Sequence, residues 1–224
     1  MISVLIPAYN EEDGIFDTVD SVLHVPGVDQ VVVVDDGSQD ETAGQARLAG
    51  AQVISLPQNC GKGMAINQGV SHLTQPVIAL LDGDLGSSAR QLELLARPVL
   101  DGDADLTIAT FPPVKKAGGF GLVKWLATEG IRLQTGLRLK APISGQRVMR
   151  REVLEAVSPF AFGYGVEVAM TIAAARSGFR VQEVSTTMSH RVTGRDWSGI
   201  RHRARQFWHV LLALCRSARK EVRQ

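Results

Sequence analysis

The chain has 224 residues, enough for one α/β domain with a sizeable core and short for two catalytic domains. Hydrophobic residues at 45% and charged residues at 21% exclude a disordered chain, and a net charge of +1 gives no reason to expect a nucleic-acid partner. Two cysteines, Cys60 and Cys215, stand apart without metal-ligand spacing, which excludes a disulfide framework or a cysteine zinc site.

Met1 to Ala8 is a short apolar run with no basic leader region and no cleavage pattern, so the expected location is the cytoplasm. Val4–Ala8 and Val31–Asp35 read as strands, each followed by polar turn residues and then by helical spacing. The series continues with a strand at Gln52–Ser55, a helix at Lys62–Leu73, a strand at Val77–Asp82, a helix at Arg90–Leu100 and a strand at Leu106–Ala109. Alternating strands and helices with near-continuous apolar strands predict an α/β fold: a mostly parallel sheet covered on both faces. In such sheets the ligand crevice lies beyond the carboxyl ends of the strands, where the polar clusters after Ile6, Val34 and Leu81 fall.

After Phe111 the pattern changes. Pro112, Pro113 and a glycine-rich stretch precede an apolar and basic segment reaching Lys140, expected to be less regular. Ser144–Val148, Arg151–Val157, Val166–Arg176 and Phe179–Val184 follow as strand, helix, helix and strand. The expected organisation is one domain whose first half spans 1–110 and second half 111–194, with a basic tail at 195–224. That tail carries eight Lys or Arg against two acids, about +6, leaving the body about −5. Within it Ile200, Ala204, Phe207, Trp208, Leu211, Cys215, Ala218 and Val222 form an apolar stripe at steps of three and four. A basic amphipathic helix could rest on an anionic membrane surface or pack its stripe on the domain.

The densest chemical signal is Asp82-Gly83-Asp84 at the end of an apolar strand. Alternate strand residues face one way, so both carboxylates could meet one ligand, holding a divalent ion and a ribose hydroxyl; a solvated turn is the plainer alternative. Asp35-Asp36-Gly37-Ser38 puts acids at a neighbouring strand end, where one residue of Ser38–Glu41 can cap the next helix and Asp36 is the better ligand contact. Two acidic strand ends in one crevice repel a phosphate unless a cation lies between them, which argues for a metal. Asn59-Cys60-Gly61-Lys62-Gly63 sets a lysine at a helix N-terminus, suited to phosphate or to simple capping.

Ile6-Pro7-Ala8-Tyr9-Asn10-Glu11-Glu12, the Asp35–Asp40 motif, Asn59–Gly63 and Asp82–Asp84, in this order over about residues 1–110, resemble the family 2 glycosyltransferases of GT-A fold. The resemblance implies a single Rossmann-like GT-A domain that takes a sugar from a UDP- or GDP-sugar with Mn or Mg. By it Pro7, Ala8, Tyr9, Glu11 and Asp36 contact the nucleoside, Lys62 the nucleotide, Asp82 and Gly83 the ribose side, and Asp84 the metal. Gly163-Tyr164-Gly165-Val166-Glu167 and His190-Arg191 resemble glucosyl-phosphoglycerate synthases, and more loosely polyprenyl-phosphate sugar transferases. That similarity implies His190 as a second metal ligand and Glu167 in the sugar and acceptor pocket, catalytic beside Asp84. The acceptor is then anionic or lipid-linked, and a homodimer or a peripheral membrane contact is compatible with it.

Simpler explanations stand beside these. Glu167 could be a first-turn acid favoured by the helix dipole, and Arg147, Arg150 and Arg151 beside Ser144-Gly145 could bind an anionic acceptor or form a solvated face. Trp125 is expected to pack with Leu122 and Leu126. A haloacid-dehalogenase-type phosphatase shares Asp-x-Asp after a strand but expects Thr or Val where Gly86 stands. A sugar nucleotidyltransferase needs a glycine-rich first loop in place of Pro7–Glu12, and a non-catalytic sugar-nucleotide-binding protein has no use for Asp84, His190 and Glu167.

Overall fold

Each βα step of the first half buries an apolar strand between two helical layers, and this sets the architecture. The computed structural model describes residues 1–112, 121–160, 165–189, 207–208 and 210–215. Strand β1 (Ile2–Ala8), helix α1 (Ile15–Leu23), β2 (Val28–Asp35), α2 (Thr42–Leu48), β3 (Gln52–Ser55), α3 (Lys62–Val70) and β4 (Val77–Leu80) come first. A 3-10 turn at Gly86–Gln91 leads into α4 (Leu92–Leu100) and β5 (Leu106–Thr110). Then come α5 (Gly121–Thr135), β6 (Arg147–Arg150), α6 (Arg151–Val157), α7 (Val166–Arg176) and β7 (Val181–Ser185).

The seven strands lie in the order β3-β2-β1-β4-β6-β5-β7, with β6 antiparallel to β4 and β5 and the other pairs parallel. The chain steps outward from β1 to β3 and then returns to the other side of β1, so a switch point lies between β1 and β4. Because β6 runs backward, its first residue pairs Arg147 with Leu80, and the β6 entry loop sits at the same sheet edge as the β1, β2 and β4 exits.

Alternate strand residues divide between two cores, as the period of two requires. Leu5, Val34, Ile78 and Met149 pack with Ile66 of α3, Val123 of α5 and Val168 of α7. Val4, Ile6, Val33 and Val148 pack on the other face with Val19 of α1 and Leu92 and Leu95 of α4. Each fully buried side chain of this kind contributes about 1.5–3 kcal/mol. Helix α3 lies close to the sheet because Gly69 has no side chain; a Cβ there would stand 2.3 Å from Leu5 Cδ1.

Several expectations are corrected. Strand β4 ends at Leu80, so Asp82 and Asp84 lie in a turn and strand alternation does not govern where they face. The Thr18 hydroxyl draws the chain off the sheet, lying 2.8 Å from the Gly83 carbonyl and accepting the Gly86 N–H at 2.8 Å. Strand β6 begins three residues later than expected, because the Gln146 side chain turns to Asp82 and the Gly145 backbone lies against Asp82 and Lys62. The expected irregular segment after Gly121 is a 15-residue helix. Its buried stripe is Val123, Ala127 and Ile131, a phase that leaves Trp125 60% exposed instead of packed.

The described part of the tail is helical and docks on α5, with Val210, Ala213 and Leu214 buried while Trp208 and Cys215 face out. Leu214 fills the slot above Gly130, where a Cβ would lie 2.4 Å from its methyl, and its carbonyl takes the Gln134 amide at 3.1 Å. That contact fixes the helix rotation, so of the stripe read at Phe207, Trp208, Leu211 and Cys215 only Phe207 packs on the core, Leu211 is half-buried, and Trp208 and Cys215 fall outside the packed face. The rest of that stripe, Ile200, Ala204, Ala218 and Val222, lies outside the described residues. Among the described residues no helix is long and apolar enough to cross a membrane.

Arg150 and Arg151 fall at the opposite sheet edge from the crevice. Arg151 donates to the Leu73 and Gln75 carbonyls, and Arg150 pairs with Asp105, so neither serves an acceptor there. Asp105 accepts Arg180 Nε at 3.0 Å, Arg180 Nη2 at 3.0 Å and the Arg180 N–H at 2.8 Å. The hydrogen bonds from Arg180 outweigh burial and hold its carboxyl at about 2. A depressed folded value gives stability that is full above the ordinary carboxylate range and is lost as pH falls through about 2. Asp105→Asn is therefore expected to cost on the order of 2 kcal/mol at pH 7, with the gap to wild type narrowing below about pH 4, read by urea unfolding across pH.

Candidate active site

The loops after β1 and β2 are zipped together by their own hydrogen bonds. The Asp36 N–H donates to the Ala8 carbonyl at 2.8 Å, the Asn10 N–H to Ser38 Oγ at 2.9 Å, and the Glu11 N–H to Thr42 Oγ1 at 2.8 Å. Asn10 Oδ1 accepts the Gln39 N–H at 2.9 Å, and Asn10 adopts φ +55°, a conformation asparagine tolerates better than most residues. Gly37 stands at φ +72°, and a Cβ there would lie 2.6 Å from the Gln58 backbone. Pro7 is half-buried, Ala8 buried and Tyr9 exposed, so this rim offers backbone and one aromatic ring.

Asp36 has a structural task. Its two oxygens accept the N–H groups of Cys60 at 2.8 Å and Gly61 at 2.7 Å, and the residue is buried. The turn that enters α3 is thus built on Asp36, while Asp40 caps α2 by accepting the Thr42 N–H at 3.0 Å. One effect of Asp36 is to aim Lys62, the first residue of α3.

Lys62 is the centre of the site. Its Nζ lies 2.7 Å from Asp82 Oδ1 and 2.9 Å from Glu167 Oε1, joining the β4 exit to the first turn of α7. Burial works against the ammonium, but attraction to Asp82 and then Glu167 outweighs it and holds the lysine above its ordinary value. A raised folded value means the ammonium is kept at neutral pH and its share of the bridge's stability is lost as pH rises into strong alkali. The lysine expected to serve phosphate is already paired twice.

A wall loop closes over this pair. A Cβ on Gly145 would stand 2.6 Å from both Asp82 Oδ2 and Lys62 Nζ, and Gln146 Nε2 donates to Asp82 Oδ2 at 2.7 Å. Arg147 anchors the wall from behind: its Nε donates to the Ser144 carbonyl at 2.9 Å, Nη2 to the Pro142 carbonyl at 3.3 Å and Nη1 to Thr171 of α7 at 2.9 Å. The guanidinium is fully buried, and desolvation pushes it down to about 10 despite Glu167 nearby. Neither an acceptor contact nor a solvated face describes Arg147: its hydrogen bonds go to its own loop and to Thr171 of α7, and it is buried. Glu183 holds the other end, accepting the N–H groups of Lys140 at 2.8 Å and Ala141 at 2.6 Å.

Gly83 is packed against Ile15, Glu11 and Ala8, with 3.5 Å from a virtual Cβ to Glu11 Cγ, so the acidic first loop abuts the Asp82–Asp84 turn. Asp84 is half-buried against Gly14. Among the described residues Lys62 meets Asp82 and Glu167, and Glu11 and Asp84 border the same turn, so carboxylates outnumber cations around it. Among the described residues no three metal-ligating side chains cluster, and His190 lies outside them. Mg and Mn suit this donor set all the same, since such ions take one or two carboxylates and complete their shell with phosphate oxygens and water.

Residues 3–158 match the model of the family described as Glycosyl transferase family 2. The chain belongs to that family. This family 2 glycosyltransferase is 32% identical over 191 residues to glucosyl-3-phosphoglycerate synthase of Mycolicibacterium smegmatis, covering 76% of the chain and 63% of the relative, under two thirds of its length. It is 33% identical over 203 residues to an uncharacterized glycosyltransferase of Mycobacterium bovis, covering 87% and 88%. The crystal structure of the Mycobacterium tuberculosis synthase with phosphoglyceric acid superposes with TM-score 0.79 at 28% identity, over 97% of this chain and 79% of that one. The same enzyme with Mn2+, UDP-glucose and phosphoglyceric acid superposes with TM-score 0.75 at 26% identity, over 96% and 79%. The phosphatase and nucleotidyltransferase alternatives give way to this match.

Four contributors to this glycosyltransferase's site carried no motif: Gln146, Thr18, Thr42 and the burial of Arg147. An uncharged residue four positions after Pro142 and a threonine within α1 carry no local pattern, so only the long-range contacts reveal them. Gly145→Ala is expected to force Asp82 and Lys62 apart. Stability should fall by about 1 kcal/mol, since the displaced atoms end flexible side chains, while donor turnover falls at least about tenfold; melting and initial rates measured together check both.

Proposed function

We propose that this chain transfers glucose from UDP-glucose, with Mn2+ or Mg2+, to the hydroxyl of a small phosphorylated acid, 3-phosphoglycerate being the reference acceptor. The observation that carries the reading is the double pairing of Lys62: with its charge taken by Asp82 and Glu167, a crevice this acidic accepts a diphosphate only together with a divalent cation. Similarity to synthases crystallised with Mn2+, UDP-glucose and phosphoglyceric acid supports the donor and the acceptor class. Docking of Val210 and Leu214 on α5 favours a soluble acceptor over a lipid-linked one.

In this reading Pro7, Ala8, Tyr9 and Glu11 form the base side, Asp36 supports it through the 60–61 turn, and Asp82 with Gly83 meets the ribose. Asp84 and His190 would hold the metal, which would supply positive charge against the diphosphate. Glu167 orients the sugar and Ser144-Gly145 bounds the acceptor. As the acceptor oxygen bonds to the anomeric carbon, the carbon–oxygen bond to the diphosphate breaks. Glu167 is engaged by Lys62, so the hydroxyl proton goes to the leaving phosphate oxygen and the anomeric configuration is retained.

Incubation with UDP-glucose, Mn2+ and 3-phosphoglycerate should release UDP and yield an α-linked product by NMR. Stabilisation of melting by UDP-glucose with no turnover across acceptors would instead make the chain a binding module. Asp84→Ala is expected to lower kcat/KM by about 100-fold or more with the fold intact. Wild-type rates in that variant at saturating metal would remove Asp84 from the site.

A further inference from the structure

We infer that Gln146 is a positioning residue that holds Asp82 ready for the nucleotide's ribose; this rests on the assignment of Asp82 proposed above. Gln146 is fully buried one residue before β6, and its carbonyl accepts the Ala109 N–H at 3.0 Å, so its backbone is fixed to β5. Its Nε2 donates to Asp82 Oδ2 at 2.7 Å, and its Oε1 lies 3.3 Å from Ser144 Oγ, which donates to it. The amide orientation follows from the chemistry: turned over, Oε1 would face a carboxylate, acceptor against acceptor.

Asp82 is gripped from two sides with different consequences. Lys62 reaches Oδ1 from α3 but brings a positive charge, and it is shared with Glu167. Gln146 reaches Oδ2 from the wall loop and brings none. An uncharged N–H aligns the carboxylate without adding to the neutralisation that Lys62 already brings at Oδ1, so Oδ2 stays the stronger acceptor for a sugar hydroxyl. The wall loop cannot drift, being tied by Glu183 at one end and Arg147 at the other. Gly145, which admits no side chain over the pair, keeps that approach short.

The test compares wild type with Gln146→Met, which keeps shape and loses the donor, and Ser144→Ala, which frees the amide. Binding of UDP with Mn2+ is measured by calorimetry, and KM and kcat by UDP release. Gln146→Met is expected to raise the UDP Kd and the UDP-glucose KM about tenfold while kcat stays within about twofold. The preference for UDP over its 2′- and 3′-deoxy forms should collapse, a change that general loosening of the fold would not produce selectively. Ser144→Ala should raise the same Kd about threefold with unchanged melting, which keeps the test decisive if Gln146→Met folds poorly. An unchanged Kd with normal melting, or a loss confined to kcat, overturns the inference. If wild type binds no UDP, the donor reading fails by itself. Gln146 is then judged from a nucleotide-free crystal structure of Gln146→Met: a displacement of the Asp82 carboxylate by about 1 Å supports it, and an unmoved carboxylate overturns it.

Discussion

The ion triad of Lys62 with Asp82 and Glu167 is the constraint on which the site's arrangement depends. It joins three elements far apart in sequence, the start of α3, the exit of β4 and the first turn of α7. Two anions brought this close repel unless a cation lies between them, and a half-buried lysine would be costly without anions. Each group therefore makes the others' positions tolerable, and the crevice is assembled by mutual compensation. The remaining negative character is a property of the folded chain, which is why the donor's phosphates require a metal partner in the proposed chemistry.

Around the triad the structure separates gripping from holding. Asp36 builds the turn that aims Lys62, Thr18 bends the Asp82–Asp84 turn off the sheet, and Arg147 and Glu183 fix the wall. These residues act through backbone groups, and their own side chains are buried or engaged. Arg147 shows the cost of such holding: a fully buried guanidinium bonded to neutral acceptors is depressed by desolvation, and Glu167 offsets only part of this.

The alternation of strands and helices was legible in the sequence because burial on both sheet faces forces apolar runs that alternation of composition exposes. Lys62, Asp82 and Glu167 were legible through motif resemblance, yet their mutual contact was not, since pairing across 20 and 105 positions leaves no local pattern. Phase errors had one cause. On α5 and on the tail, apolar residues occur around more of the helix than is buried, so the packed stripe is chosen by a glycine slot, Gly130 beneath Leu214, which periodicity cannot rank. Gln146 and Thr18 were silent for a different reason: their importance lies in one or two hydrogen bonds to a distant turn.

The reversed strand also bears on how far this chain can be divided. Among the described residues β5, the last strand before residue 111, pairs with β6 and β7, both supplied by later sequence, while β4 takes β6 as its neighbour. A fragment ending at 110 would leave β4 with an open edge and β5 with no strand beside it, the situation that invites pairing between molecules. The motifs assigned to the nucleotide in the proposed function lie within that fragment, but the sheet that aims them does not close there. Recombination of this half onto another scaffold would have to carry a surrogate for β6, and with it the wall over Asp82.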